Sequence, residues 1–256
     1  INQAINELRS AVDLGQGLDQ ADILLVMSHL KNKETDEALA ASRALQQRKP
    51  DSPVAANLVG LAYLAAGQFD EARNAFQRAL EIDPQFVTAD INMARMELAR
   101  NDLDAAEGNF KAALERAPTN LNALIGMALL AERRGDRMQM YDWLFKAQAT
   151  NPRVSKPGIL LAQAYLRDNE NLKALQVANE LASNFPKQVA VRRVLGLAQL
   201  ATGETSSAVT SFRQLAAAEP TAANMALLAK AQLAAKDDSA AGDSLRRALE
   251  IAPDFI

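Results

Sequence analysis

NLVGLAYLAAGQFDEARNAFQRALEIDP, residues 57–84, decides the reading of the whole chain. Its first half puts Leu58, Leu61, Ala62 and Leu64 at helical spacing. Gly60 is a small residue where a partner helix must approach closely, and Gly67 supplies a turn that ends the helix. The second half is another amphipathic helix, with Ala72, Phe76, Ala79 and Leu80 on one face. Pro84 stops it, because proline lacks the N–H and clashes with the preceding turn. The stretch is a helical hairpin.

The hairpin recurs. Pro50, Pro84, Pro118, Pro152, Pro186 and Pro220 follow one another at intervals of 34 residues, and Pro253 follows after 33. The other two prolines, Pro53 and Pro157, fall just after these, where a new helix begins and a missing N–H is tolerated. This ruler divides the chain into 19–52, 53–86, 87–120, 121–154, 155–188, 189–221 and 222–255. Gly196 matches Gly60, while Gly135 and Gly203 match Gly67. Tyr165 matches Tyr63, and Phe110 and Phe212 match Phe76. Ala38, Ala106, Ala174, Ala208 and Ala241 match Ala72. The place of Tyr63 is taken elsewhere by His29, Glu97, Ala131, Gln199 and Gln232, so the repeats have diverged. The 51 Ala residues largely occupy the small places of the unit, where they favour helix and close packing.

Composition excludes several chemistries. Of 256 residues, 49% are hydrophobic and 23% charged, which suits a folded chain rather than a disordered one. With no Cys and one His there is no disulfide framework, Cys-based zinc site or Cys–His nucleophile. A Ser-His-Asp triad would need His29, whose place reads as helix packing instead. No phosphate loop, metal-spaced acid cluster or nucleophile elbow is present, so neither enzyme activity nor a cofactor is expected. A net charge of -3 argues against nucleic-acid binding. The longest apolar run, Ile23 to Met27, is too short to span a membrane. Met138, Tyr141, Trp143 and Phe145 cluster in one helix and read as core, with an adaptable binding spot as the alternative.

The G…Y…G…A…F…A…P pattern at a 34-residue period resembles the tetratricopeptide repeat (TPR) along the whole chain. The resemblance implies an all-α fold, a right-handed α-solenoid of stacked antiparallel helix pairs forming one array over 1–256. The first helix of each pair then lines a concave groove. The groove places inferred from the family hold seven basic residues, Lys31, Arg95, Arg133, Lys156, Arg167, Arg193 and Lys230, against one acid, Glu132. Polar Asn57, Asn122 and Gln163 and apolar Leu61, Ile91, Ile125 and Leu129 complete the expected partner-binding set. Apolar groove residues also serve to pack neighbouring repeats, and charges at such places also occur simply as solvated residues. An electropositive groove favours an anionic partner, either an acidic peptide segment or an anionic polysaccharide. The Lys/Asn carboxylate clamp of chaperone-tail binders is missing, since its paired places hold Ile23/Met27, Asn57/Leu61 and Ile91/Arg95. The Asn ladder of sugar-transferring TPR enzymes is reduced to Asn92.

Residues 1–18 fit only the second helix of a repeat, with Ala4, Leu8 and Ala11 at the places of Ala72, Phe76 and Ala79. Ile256 reads as the first residue of a further repeat, so the sequence is expected to be a fragment of a longer array, with end-to-end self-association as one consequence. ELRSAVDLGQGLDQADILLVMSHL (7–30), ALAASRALQQRKPDSPVAANLVGLAYLAAG (38–67), the Ala94-Arg95 pair and the Trp143-Leu144 step are similar to the TPR lipoprotein family of bacterial PEP-CTERM sorting systems. That resemblance implies a non-catalytic scaffold in exopolysaccharide production and protein export, periplasmic and anchored to the outer membrane. The alternative is a regulatory or tethering TPR domain of a larger cytoplasmic enzyme.

Overall fold

In a computed structural model, residues 19–254 are described. The expectations for residues 1–18 and Ile256 lie outside them. Fourteen helices run along the described chain: α1 (Asp19–Lys31), α2 (Thr35–Arg48), α3 (Pro53–Ala65), α4 (Phe69–Ile82), α5 (Val87–Ala99), α6 (Leu103–Arg116) and α7 (Leu121–Arg133). Then follow α8 (Arg137–Thr150), α9 (Lys156–Arg167), α10 (Asn171–Asn184), α11 (Val189–Ala201), α12 (Thr205–Ala218), α13 (Ala222–Ala234) and α14 (Asp238–Ile251). No strand is present among the described residues. The fold is an all-α solenoid of helix hairpins, and contacts divide it into two compact units, 1–140 and 141–256.

One turn closes every hairpin. Lys33, Gly67, Asn101, Gly135, Asn169, Gly203 and Lys236 occupy one place of the repeat, and all have positive φ between 60° and 83°. The following N–H reaches back to the carbonyl five residues earlier, as in Gln68 to Tyr63, Asp102 to Glu97 and Glu170 to Tyr165. Three glycines make this turn legible in the sequence. Asn101 and Asn169 tolerate the left-handed region, while Lys33 and Lys236 adopt it at a steric cost. Between hairpins, α4 ends at Ile82 and Asp83 caps it before Pro84.

Within unit 1, each helix packs on the next, and α1 also meets α3, α3 meets α5 and α5 meets α7. In unit 2, α9 meets α11 in the same way. Successive second helices do not come as close, so first helices form the tighter layer. The small places are filled as expected: Ala38, Ala72, Ala106, Ala174 and Ala208 are wholly buried, as are Phe76, Phe110 and Phe212. The α4 ring of Phe76 lies against Gly60, where an added Cβ would sit 2.5 Å from Cε1. Phe212 lies against Gly196 in the same manner, at 2.7 Å. Phe110 is different. Its own repeat offers Ala94, and its ring turns to Gly126 in the following first helix, where a Cβ would sit 2.2 Å from Cε1. In unit 2, Leu181 takes the place of Ala79, and Gly158 makes room for it.

Arginine–aspartate pairs bridge the two helices of hairpins in unit 1. Arg116 Nη1 lies 2.8 Å from Asp90 Oδ2, and Arg48 pairs with Asp22 at the same places of the first repeat. Burial holds the Asp90 carboxyl above its usual range, opposed by the Arg116 guanidinium. An acid with a raised native pKa binds its proton more tightly folded than unfolded. Ionised Asp90 therefore weakens the fold at neutral pH, a cost removed as pH falls through the raised native pKa toward the ordinary value of about 3.9.

Two tests follow from this packing. Gly126→Ala is expected to destabilise by roughly 1–3 kcal/mol through overpacking on Phe110. Gly108→Ala, on α6 with nothing within 4 Å of the new methyl, is expected to stabilise by about 0.5–1 kcal/mol. Urea unfolding of both variants checks the pair. For Asp90, urea midpoints of the native chain and Asp90→Asn between neutral pH and about pH 4 are compared. The native chain should gain on the variant as pH falls, and a constant difference contradicts the assignment.

Candidate functional site

In each unit, residues at corresponding places of the first helices are left exposed. In unit 1, Met27, Leu61, Arg95 and Leu129 stand at one place of four successive first helices. Met27 and Leu129 are 45% and 42% exposed, Arg95 is exposed, and Leu61 is half-buried between two hydrophobic clusters. Arg95 Nη2 donates to Asn122 Oδ1 at 3.3 Å, which holds the guanidinium along the face. Lys31, Asn122 and Arg133 are exposed and Ile125 is half-buried.

Two expected groove residues are not on this face. Asn57 is buried, and Asn92 Nδ2 donates to its Oδ1 at 2.9 Å, tying α5 to α3. Ile91 is 4% exposed. At these two positions the side chain turns toward a neighbouring first helix rather than solvent, so Asn57 supplies a buried amide bond and Ile91 supplies packing, whereas at the same place Ile125 is half-buried and Arg193 exposed. His29 is likewise buried, with Nδ1 2.6 Å from Glu34 Oε2 at the hairpin turn.

In unit 2, Lys156, Gln163, Arg167, Arg193 and Lys230 are all exposed. No acidic residue occupies an expected groove place of this unit. Two of the cations are tempered by neighbours. Arg193 Nη2 lies 3.2 Å from Glu219 Oε2 and 3.1 Å from Asn224 Oδ1. Arg167 Nε lies 4.0 Å from Asp168 Oδ1. Asn224 is fully buried and also donates to the Glu219 carbonyl at 2.8 Å, so it positions the acid and the arginine together. Sequence reasoning missed Asn224 and Glu219. Neither recurs at a 34-residue period, and the contact joins α11 to the turn before α13.

The Met138–Phe145 cluster divides rather than forming core throughout. Met140, Tyr141 and Leu144 are buried, but Met138 is 70% and Phe145 47% exposed. The helix turns these two outward. Tyr141 and Tyr165 pack with ring centroids 4.6 Å apart and planes tilted by 40°, and Tyr141 donates to Asp168 Oδ2. Burial, reinforced by Asp168, pushes the Tyr141 phenol well above its usual range; burial also raises Tyr165, against the opposing charge of Lys173. Neither phenol is poised for acid–base work near neutral pH.

Among the described residues, no group of three or more His, Asp or Glu side chains is arranged to hold a metal ion. No described helix is long and apolar enough to cross a membrane. The faces offer charge, hydrogen bonds and apolar shelves, which suits binding of an extended partner.

Comparison with known proteins agrees with the geometry. Tetratricopeptide repeat models match residues 53–86, 159–223 and 193–254, together half of the chain. No curated protein matches the chain in sequence. Among solved structures, yeast Tom70 superposes with a TM-score of 0.69 at 16% identity, covering 98% of this chain and 55% of that one. A chain of the APC/C hetero-tetramer Cut9-Hcn1 gives 0.59 at 20% identity, covering 98% and 50%. This chain thus spans about half the length of either. YrrB, described as a TPR protein with an unusual peptide-binding site, gives 0.57 at 18% identity, covering 72% and 95%. At these identities the likeness concerns the fold. The repeat models, the hairpin geometry and the structural likeness converge: the chain belongs to the tetratricopeptide repeat family.

Proposed function

We propose that this chain is a non-catalytic scaffold whose first-helix face in unit 2 holds an acidic segment of a partner protein. The exposed quartet Lys156, Arg167, Arg193 and Lys230 carries the reading, since it lies on a face whose groove places hold no acid. Leu197 and Leu200 on α11 supply apolar contact between the charges. Asn224 and Glu219 fix the Arg193 fork and reduce the ordering entropy that binding would otherwise cost. Peptide binding by a related fold, as the name of YrrB records, is consistent with this role.

The sequence similarity to PEP-CTERM-system TPR lipoproteins supports a finer reading. In it, the scaffold serves bacterial exopolysaccharide production and protein export, in the periplasm and anchored to the outer membrane. A signal peptide with a lipid-accepting Cys in the gene would support that location, and a gene without one would favour a cytoplasmic tethering domain.

The face itself is tested by fluorescence anisotropy with a labelled acidic decapeptide, with alginate as the polysaccharide competitor. Lys156→Glu combined with Arg167→Glu is expected to weaken peptide binding by at least roughly ten-fold at low salt, with helicity unchanged. Undiminished binding removes this face as the site. Binding of alginate in preference to the peptide would assign the face to a glycan instead.

A further inference from the structure

On unit 2, a cleft of about 570 Å³ opens between α8, the turn that follows it and α10. Phe145, Val154, Tyr165, Val177, Leu181 and Phe185 form most of its wall. None of these is among the exposed first-helix residues described above.

Three residues that line this cleft depart from the pattern of the chain's other repeats. Phe145 on α8, 47% exposed, stands at the place held by Arg43, Gln77, Lys111, Asn179, Arg213 and Arg246. Phe185, which follows the last turn of α10, stands at the place of Lys49, Asp83, Ala117, Asn151, Glu219 and Ala252. The cleft thus has two rings at places where no other repeat has one. Glu180 on α10 stands where Ala44, Arg78, Ala112, Lys146, Gln214 and Arg247 stand. That place is basic three times and acidic only here. Six hairpins close without any of the three, so the fold does not require them, and all three meet at one cavity. The charges at the cleft are also unequal. Lys173 Nζ lies 3.2 Å from Glu170 Oε2 and 5.7 Å from the centre of the Tyr165 ring, so its charge is tempered. Glu180 is exposed, and its carboxylate makes no ion pair among the described residues. The cleft is left with one unmet negative charge beside aromatic and aliphatic surface.

We propose that this cleft is a second binding site, which takes an arginine side chain from a segment of a partner protein. The faces of aromatic rings attract cations, and Phe145 and Phe185 bring two such rings to the cleft. Glu180 supplies the countercharge. A guanidinium stacks flat on a ring and donates two parallel hydrogen bonds to a carboxylate, which an ammonium does not. The aliphatic stem of arginine has Val154, Val177 and Leu181 to lie against. The volume exceeds that of one side chain, so the cleft suits an arginine held within a peptide segment better than a small free cation. The exposed cations proposed to hold an acidic segment select the opposite charge, so the two sites do not compete for one ligand.

The test uses the whole chain, labelled with nitrogen-15 and titrated at low salt with a Gly/Ser heptapeptide bearing a central Arg. The same peptide with central citrulline, which keeps the shape and loses the charge, and free arginine amide are run beside it. Saturable amide shifts are expected within residues 145–154 and 173–185, with the citrulline peptide binding roughly ten-fold more weakly. Glu180→Gln should lower the Arg peptide to the level of the citrulline peptide and leave both weakly and equally bound, a result that loss of folding cannot imitate. Phe145→Arg, which adopts the residue type of Arg43 and Arg213, should abolish binding with helicity retained. Lys156→Glu with Arg167→Glu should not weaken this binding, so failure of the first-helix reading and of this one are separable. Equal binding of the Arg and citrulline peptides by the native chain, no saturable shifts at the cleft, or undiminished Arg-peptide binding by Glu180→Gln overturns the proposal. Arginine amide binding as tight as that of the Arg peptide also overturns it, because the cleft would then serve a small cation.

Discussion

The structure depends on how closely the two helices of a hairpin, and the helices of neighbouring hairpins, can approach. A phenylalanine ring in a second helix needs a surface with no Cβ to lie on. Phe76 finds it at Gly60 and Phe212 at Gly196, both in the partner helix. Phe110 finds it at Gly126, one hairpin further on. The same ring therefore closes a hairpin in two cases and joins consecutive hairpins in the third. Leu181 against Gly158 applies the same solution in unit 2 without an aromatic. Because these contacts join neighbouring helices along the chain, stability accumulates between neighbours, as in other repeat proteins.

This packing decides which side chains are left for function. Asn57 and Ile91 are drawn toward the neighbouring helix, while Arg95, Leu129, Lys156, Arg193 and Lys230 remain outside. Asn57 and Asn92 show the consequence, since a buried amide pair now ties first helices together where a groove contact was expected. On the second-helix side, repeats normally place polar residues outward. Phe145 departs from that rule, and an apolar cleft between α8 and α10 forms at its position. The exposed first-helix residues of unit 2 and the cleft differ in chemistry: the first include several cations, while the second is walled mainly by apolar side chains.

The hairpin period was plain in the sequence because proline and alanine report it directly, one by stopping helices and the other by filling small places. Gly67, Gly135 and Gly203 marked the turn for the same reason. Lys33 and Lys236 hid it, because lysine carries no conformational signature and reaches positive φ only when the motif's hydrogen bonds oblige it. The charged face was legible as a set of residues but not as a geometry. Burial of Asn57 and Ile91 depends on the rotation of each helix about its axis, which a 34-residue ruler does not supply. Pairing of Arg193 with Glu219 and Asn224 joins separate elements and was invisible for that reason. The run from Met138 to Phe145 read as one core cluster because its residues are all large and apolar. Place-by-place comparison with the other repeats separates inward Leu144 from outward Phe145.

The claim that ring-on-glycine contacts set the helix spacing is tested most directly by a double-mutant cycle on Phe110→Leu and Gly126→Ala, read by urea unfolding. If the ring and the missing Cβ are complementary, a smaller side chain at 110 makes room for the new methyl. The double variant should then lose about 1–2 kcal/mol less than the sum of the single losses. Losses that simply add would contradict the account, since the two sites would then not share a contact.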